Sequence, residues 1–106
     1  MRILLDECVP RRLKRSFRGH QLVLTVPDAG FTGLKNGNLL RHIVGKFDVL
    51  ITTDKSIQFQ QNLPAWNIGF VLLRARSNDI VDIEPLMPKL LARFEEIAPG
   101  KLLIIE

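Results

Sequence analysis

The chain has 106 residues, enough for one domain over 1–106 and too few for two ordinary ones. Apolar residues make up 46% and charged residues 25%, ordinary globular values, and the net charge of +4 with a pI near 9.7 mildly favours polyanionic partners. A single cysteine, Cys8, excludes an internal disulfide framework, and with no leader-like start and no apolar run near the ~20 residues of a membrane span the expectation is a soluble cytoplasmic protein without a membrane partner.

Arg2 to Leu5 reads as a first strand, a short continuous apolar run. Pro10 opens a helical stretch to about Arg18, with Val9, Leu13 and Phe17 in one apolar stripe and Gly19 as its stop. Gln21 to Val26 is a second strand, halted by Pro27. Turn residues fill the segment from Pro27 to Gly37, and Asn38 to about Val44 is a short helix. Asp48 to Thr52 is a third strand, and Lys55 to Asn62 a short polar helix or loop. Ile68 to Leu73 is a fourth strand. A last helix starts between Asp82 and Pro88, carries Leu86, Met87, Leu90, Leu91, Phe94 and Ile97 on one stripe, and breaks at Pro99-Gly100. Leu102 to Ile105 is a fifth strand.

Strands that are continuous apolar runs, alternating with helices, imply an α/β fold with a mainly parallel sheet covered on both faces. Ligands of such sheets bind beyond the carboxyl ends of the strands. There the sequence places Asp6 and Glu7, then Pro27 and Asp28, then Thr53 and Asp54, then Arg74, Arg76, Ser77, Asn78 and Asp79. Two carboxylates on one edge repel unless a cation lies between them, and Mg²⁺ or Mn²⁺ held by oxygen ligands is the simplest such cation. Such an ion can activate water and stabilise charge on a phosphoryl group. Helix capping is the competing account: Asp6 or Glu7 beside the first helix, Asp54 at the start of the short one, with Lys55 also able to neutralise Asp54.

Arg11, Arg12, Lys14, Arg15 and Arg18 crowd the first helix, with no acid in it to offset them. They suit a phosphate-binding face or an ordinary solvated one. Arg74 and Arg76 stand close to the same sheet edge, placed to stabilise a phosphodiester or to pair with Asp79 or Asp82. Trp66 fits a core edge or a partner contact better than a base-stacking platform. Gln60, Gln61 and Asn62 suit base edges or a plain polar turn. Cys8 reads as a buried spectator thiol, and His20 and His42 lack metal-site spacing.

The opening M-R-I-L-L-D-E-C-V-P-R-R-L, the G-H at 19–20, G-L-K-N-G-N-L-L at 33–40, D-V-L-I-T-T-D-K at 48–55, Q-F-Q-Q-N-L at 58–63 and V-L-L-R-A-R-S-N at 71–78 together resemble a PIN-like family of small prokaryotic proteins. The resemblance spans nearly the whole chain. It implies a PIN-like three-layer sandwich, a central sheet of about five strands flanked by helices. It also implies a metal-dependent endoribonuclease, in many cases the toxin of a toxin–antitoxin pair, with acids clustered around one or two Mg²⁺ or Mn²⁺ ions. Carried over, the resemblance assigns Asp6, Glu7 and Asp54 as catalytic, Asp6, Asp54 and Asn38 as metal ligands, and Thr52, Thr53 and Asp79 as support. Arg11, Arg12, Lys14, Arg15, Lys55, Arg74 and Arg76 would hold RNA. Relatives usually carry an acid where this chain has Asn38, so one negative charge is missing from the implied site.

Two other functions compete. A non-catalytic PIN-like module would bind RNA or a protein such as an antitoxin, and a mean hydropathy of +0.12 leaves room for an apolar homodimer or antitoxin interface. A phosphoacceptor receiver domain would also place acids after strands one and three, but it needs a lysine after its last strand, and Lys101 precedes the fifth run here. No G-x-G-x-x-G follows the first strand and no P-loop is present.

Overall fold

The computed structural model describes every residue except Arg18, His20, Gln21 and Gln61, and describes Asn36 and Gln60 by backbone alone. Expectations that fall on Arg18, His20, Gln21, Gln61 and the Gln60 side chain therefore lie outside the described residues.

Five strands form one parallel sheet: β1 (Arg2–Leu5), β2 (Leu22–Thr25), β3 (Val49–Thr52), β4 (Gly69–Leu73) and β5 (Leu102–Ile105). Their order is β2-β1-β3-β4-β5. The central strands are apolar throughout because both faces are covered. Period-2 alternation then sends successive side chains to opposite layers. Ile3, Leu5, Val49, Ile51, Val71 and Leu73 join one core with Leu13, Ile83, Met87 and Leu90. Leu4, Leu50 and Phe70 join the other with Leu39, Leu40, Ile43 and Ile57. The result is three layers, helical turns on each side of the sheet.

The second layer is built by α1 (Asn36–Ile43) and α2 (Ile57–Gln60). Trp66 is half-buried against this core, a core-edge position. The first layer departs from the expected long helices. Residues Arg11–Ser16 wind as a 3-10 turn. Like charges three and four apart, Arg11 with Lys14 and Arg15, and Arg12 with Arg15, oppose a regular helix there. The expected stripe is nonetheless buried, through Val9, Leu13 and Phe17.

The last helix is also broken into pieces: α3 (Ile80–Ile83), a 3-10 turn (Glu84–Leu86), α4 (Met87–Ala92) and a second 3-10 turn (Phe94–Glu96). Pro85 and Pro88 each start a new segment, since neither can donate to the preceding turn. Gly100 turns the chain into β5 at φ +75, with Pro64 backbone atoms 3.2 and 3.3 Å from where a Cβ would stand. Only glycine fits both the left-handed backbone and the close approach. Among the described residues, no helix is long and apolar enough to cross a membrane.

Candidate functional site

The chain runs from β1 outward to β2, then crosses back over β1 to β3. The β1/β3 boundary is therefore the topological switch point, where a parallel sheet opens a crevice at its carboxyl edge. A cleft of about 520 Å³ occupies that place. Asp6 enters it directly from β1, its N–H still donating to the Ile51 carbonyl at 2.9 Å in sheet register.

Thr52, fully buried at the end of β3, organises the acids. Its hydroxyl donates to Asp6 Oδ2 at 2.8 Å and accepts the Asp54 N–H at 3.0 Å. The Glu7 N–H donates to the other Asp6 oxygen, Oδ1, at 2.9 Å. Glu7 itself accepts the Gly33 N–H on Oε1 at 3.1 Å, which ties the loop before α1 to the acidic edge. Asp54 Oδ1 accepts both the N–H and the hydroxyl of Ser56, at 3.0 and 2.7 Å, immediately before α2. Capping and cleft lining thus coexist at Asp54. One oxygen stabilises the turn, and Oδ2 has no partner among the described residues.

The structure brings Asp6, Glu7, Thr52, Thr53 and Asp54 together in one cleft, as expected. It does not bring Asn38 there. Asn38 is exposed on α1 outside the cleft lining, where its side-chain oxygen accepts from Arg41 and its carbonyl meets His42 Nδ1 at 2.7 Å. Helix α1 turns its Leu39 and Leu40 toward the cleft, and a position one residue earlier lies on a different face. Asp79 is likewise exposed and outside the lining, at the N-cap of α3, while its neighbour Asn78 lines the cleft. Among the described residues, no three His, Cys, Asp or Glu side chains stand close enough together to enclose a metal ion.

The basic face also differs from expectation, because acids distant in sequence reach it. Asp28, after β2, takes Lys14 at 3.0 Å and Arg11 at 3.4 Å. Glu84 takes Arg15 at 3.1 Å. Arg74 pairs with Glu106 at 3.4 Å, and not with Asp79 or Asp82. Arg12, Lys55 and Arg76 are exposed, and Lys35 lines the cleft. Lys101 directly precedes β5 at the amino edge, opposite the acids, so it cannot serve as a receiver-type lysine.

Three residues of the site were not legible as such in the sequence. Cys8 is half-buried in the cleft, its Sγ 3.4 Å from the Thr52 hydroxyl, because the chain turns back after Asp6 through a Val9 N–H to Asp6 carbonyl bond of 2.9 Å. Ser56 anchors Asp54; its signal was the D-x-S spacing of an Asx turn. Lys35 carried no signal beyond its charge.

The Lys14 ammonium, hydrogen-bonded to Asp28, and the Thr25 N–H together hold the Asp28 carboxyl down at about 2. A depressed carboxyl pKa gives stability that is present above the unfolded value near 3.8 and is lost as pH falls toward about 2. Asp28→Asn should therefore lower Tm at pH 7, and the gap to wild type should shrink steadily from pH 4 to pH 2. Thermal unfolding across that range checks it; a gap that is constant with pH would contradict the pairing.

No family model, curated protein or solved structure matches this chain.

Proposed function

We propose that this protein is a divalent-metal-dependent endoribonuclease acting on single-stranded RNA at the β1/β3 cleft. The observation that carries the reading is the convergence of Asp6, Glu7 and Asp54 on one cleft at the switch point of a parallel sheet. The donor set is hard oxygen, which suits Mg²⁺ or Mn²⁺. Mg²⁺ is commonly held by only one or two carboxylates, with waters and substrate phosphate completing its shell. Asp6 and Asp54 fit such an open site, and they do not form a closed protein cage.

A bound ion of this kind supplies charge stabilisation at a phosphoryl group and a more acidic water. The chain's own residues do the rest. Thr52 fixes the Asp6 carboxylate and the Asp54 backbone through one hydroxyl, so the two acids keep their relative positions. Glu7 is anchored through Oε1 to Gly33, leaving Oε2 to accept a proton from an attacking water. Lys35 lies in the cleft for a substrate phosphate, and exposed Arg12, Lys55 and Arg76 add positive potential for the strand. The exposed pairs of Arg11, Lys14 and Arg15 are weak enough for a phosphate to compete.

A second reading, a module that binds RNA or a protein without turnover, is favoured by one observation: the Asn38 amide is committed to Arg41 and adds nothing to the acids. Exposed Phe59 and Val81 would then offer apolar contacts to a protein partner. Incubation of mixed single-stranded RNA with wild type and Asp54→Asn, with and without Mn²⁺, separates the two. The nuclease reading requires cleavage by wild type with Mn²⁺ only. Intact RNA with retained binding supports the second.

A further inference from the structure

The cleft has a wall that metal and phosphate chemistry leaves unused. Leu34, Leu39, Leu40 and Ile57 line it beside the acids. Its volume of about 520 Å³ falls within the roughly 300–1,000 Å³ of small-molecule pockets. An ion and a phosphate would need no apolar surface. One polar group is also unexplained. Thr53 lines the same cleft at 9% exposure, and its hydroxyl is buried with no hydrogen-bond partner. Native structures rarely leave such a group unpaired unless a ligand, ion or water completes it.

We infer that the cleft holds one ribonucleotide. The base lies against the leucine and isoleucine wall, as bases do between apolar side chains in pockets that take them singly. A polar base edge completes the Thr53 hydroxyl, which can donate or accept. Glu7 Oε2 and Asp54 Oδ2, free of protein partners among the described residues, accept the ribose hydroxyls. Carboxylates only accept, and ribose hydroxyls are donors in reach of an acid at this edge in other parallel sheets. Lys35 takes the phosphate. The inference deepens the nuclease reading by naming the nucleotide subsite, and it uses cleft features which that reading does not.

The test is an NMR titration of the full chain, without metal, by AMP and UMP and their 2′-deoxy forms. Saturable shifts are expected at Gly33, Leu34 and Thr53, with the deoxy forms roughly tenfold weaker for one lost hydrogen bond to a charged acceptor. Thr53→Val should weaken AMP or UMP roughly tenfold without lowering Tm, since the hydroxyl it removes has no partner in the fold. Leu34→Asn, a change in a half-buried wall residue, should weaken both nucleotides, and Phe59→Ser, an 82% exposed position outside the cleft, should not. Absence of saturable shifts at millimolar nucleotide overturns the inference. So does equal affinity for ribo and deoxy forms, or an unchanged Thr53→Val. RNA cleavage without nucleotide binding would overturn this subsite and leave the nuclease reading standing. Nucleotide binding with RNA left intact in Mn²⁺ would do the reverse.

Discussion

Asp6→Asn is expected to lower Mn²⁺-dependent RNA cleavage roughly a hundredfold or more while the fold persists. Outer-shell partners of a metal site are typically worth about 10–100-fold, and a direct ligand should cost at least the upper end of that range. The fold should survive because asparagine keeps an oxygen to accept from either the Glu7 N–H or the Thr52 hydroxyl, on a side chain only half-buried. Thr52 acts one step back, as a positioning residue. Thr52→Val keeps the shape but leaves Asp6 Oδ2 and the Asp54 N–H without their shared partner. It should reduce cleavage about 10–100-fold, and Thr52→Ser should restore most of it. A purely structural threonine would not show that rescue. Parallel cleavage assays with Tm measured on each variant decide the matter. Full activity in Asp6→Asn would remove Asp6 from the site.

Phe70→Ala should destabilise the fold by about 3–5 kcal/mol. Phe70 is fully buried on β4, between β3 and β5, in the core that α1 and α2 cover. Its ring meets no water, so truncation loses both transfer energy and packing contacts. Against a total stability of about 5–15 kcal/mol for a domain of this size, that is a third of it or more. At roughly 4–8 °C per kcal/mol, Tm should fall by at least ten degrees. Chemical denaturation gives ΔΔG directly; a loss under about 1 kcal/mol would contradict the central place assigned to β4.

The strands were legible because each is short, apolar and buried on both faces, a pattern few other structures produce. All five lie where expected, with ends shifted by at most a residue or two. The carboxyl edge followed from them, and with it the grouping of Asp6, Glu7 and Asp54. The helices were less legible. Val9, Leu13 and Phe17 do form a buried stripe, but a stripe cannot tell an α-helix from 3-10 turns when like charges resist the former. Pro85 and Pro88 split the last helix inside a stripe that looked continuous. The basic face was misjudged for a different reason. Its counter-ions, Asp28 and Glu84, are remote in sequence and arrive only through the fold. Asn38 seemed a site residue on motif alone, and helix phase carries it away from the acids.

Calorimetric titration of the wild-type chain with Mn²⁺, beside Asp54→Asn, tests most directly the claim that these carboxylates form a metal site. Asp54 is the choice because its Oδ2 is unengaged and asparagine can still accept from Ser56. The account predicts saturable binding by wild type and its loss in the variant, with the two proteins unfolding at similar temperatures. Wild type that takes up no Mn²⁺ at millimolar concentration, or Asp54→Asn that binds it equally well, would contradict the account.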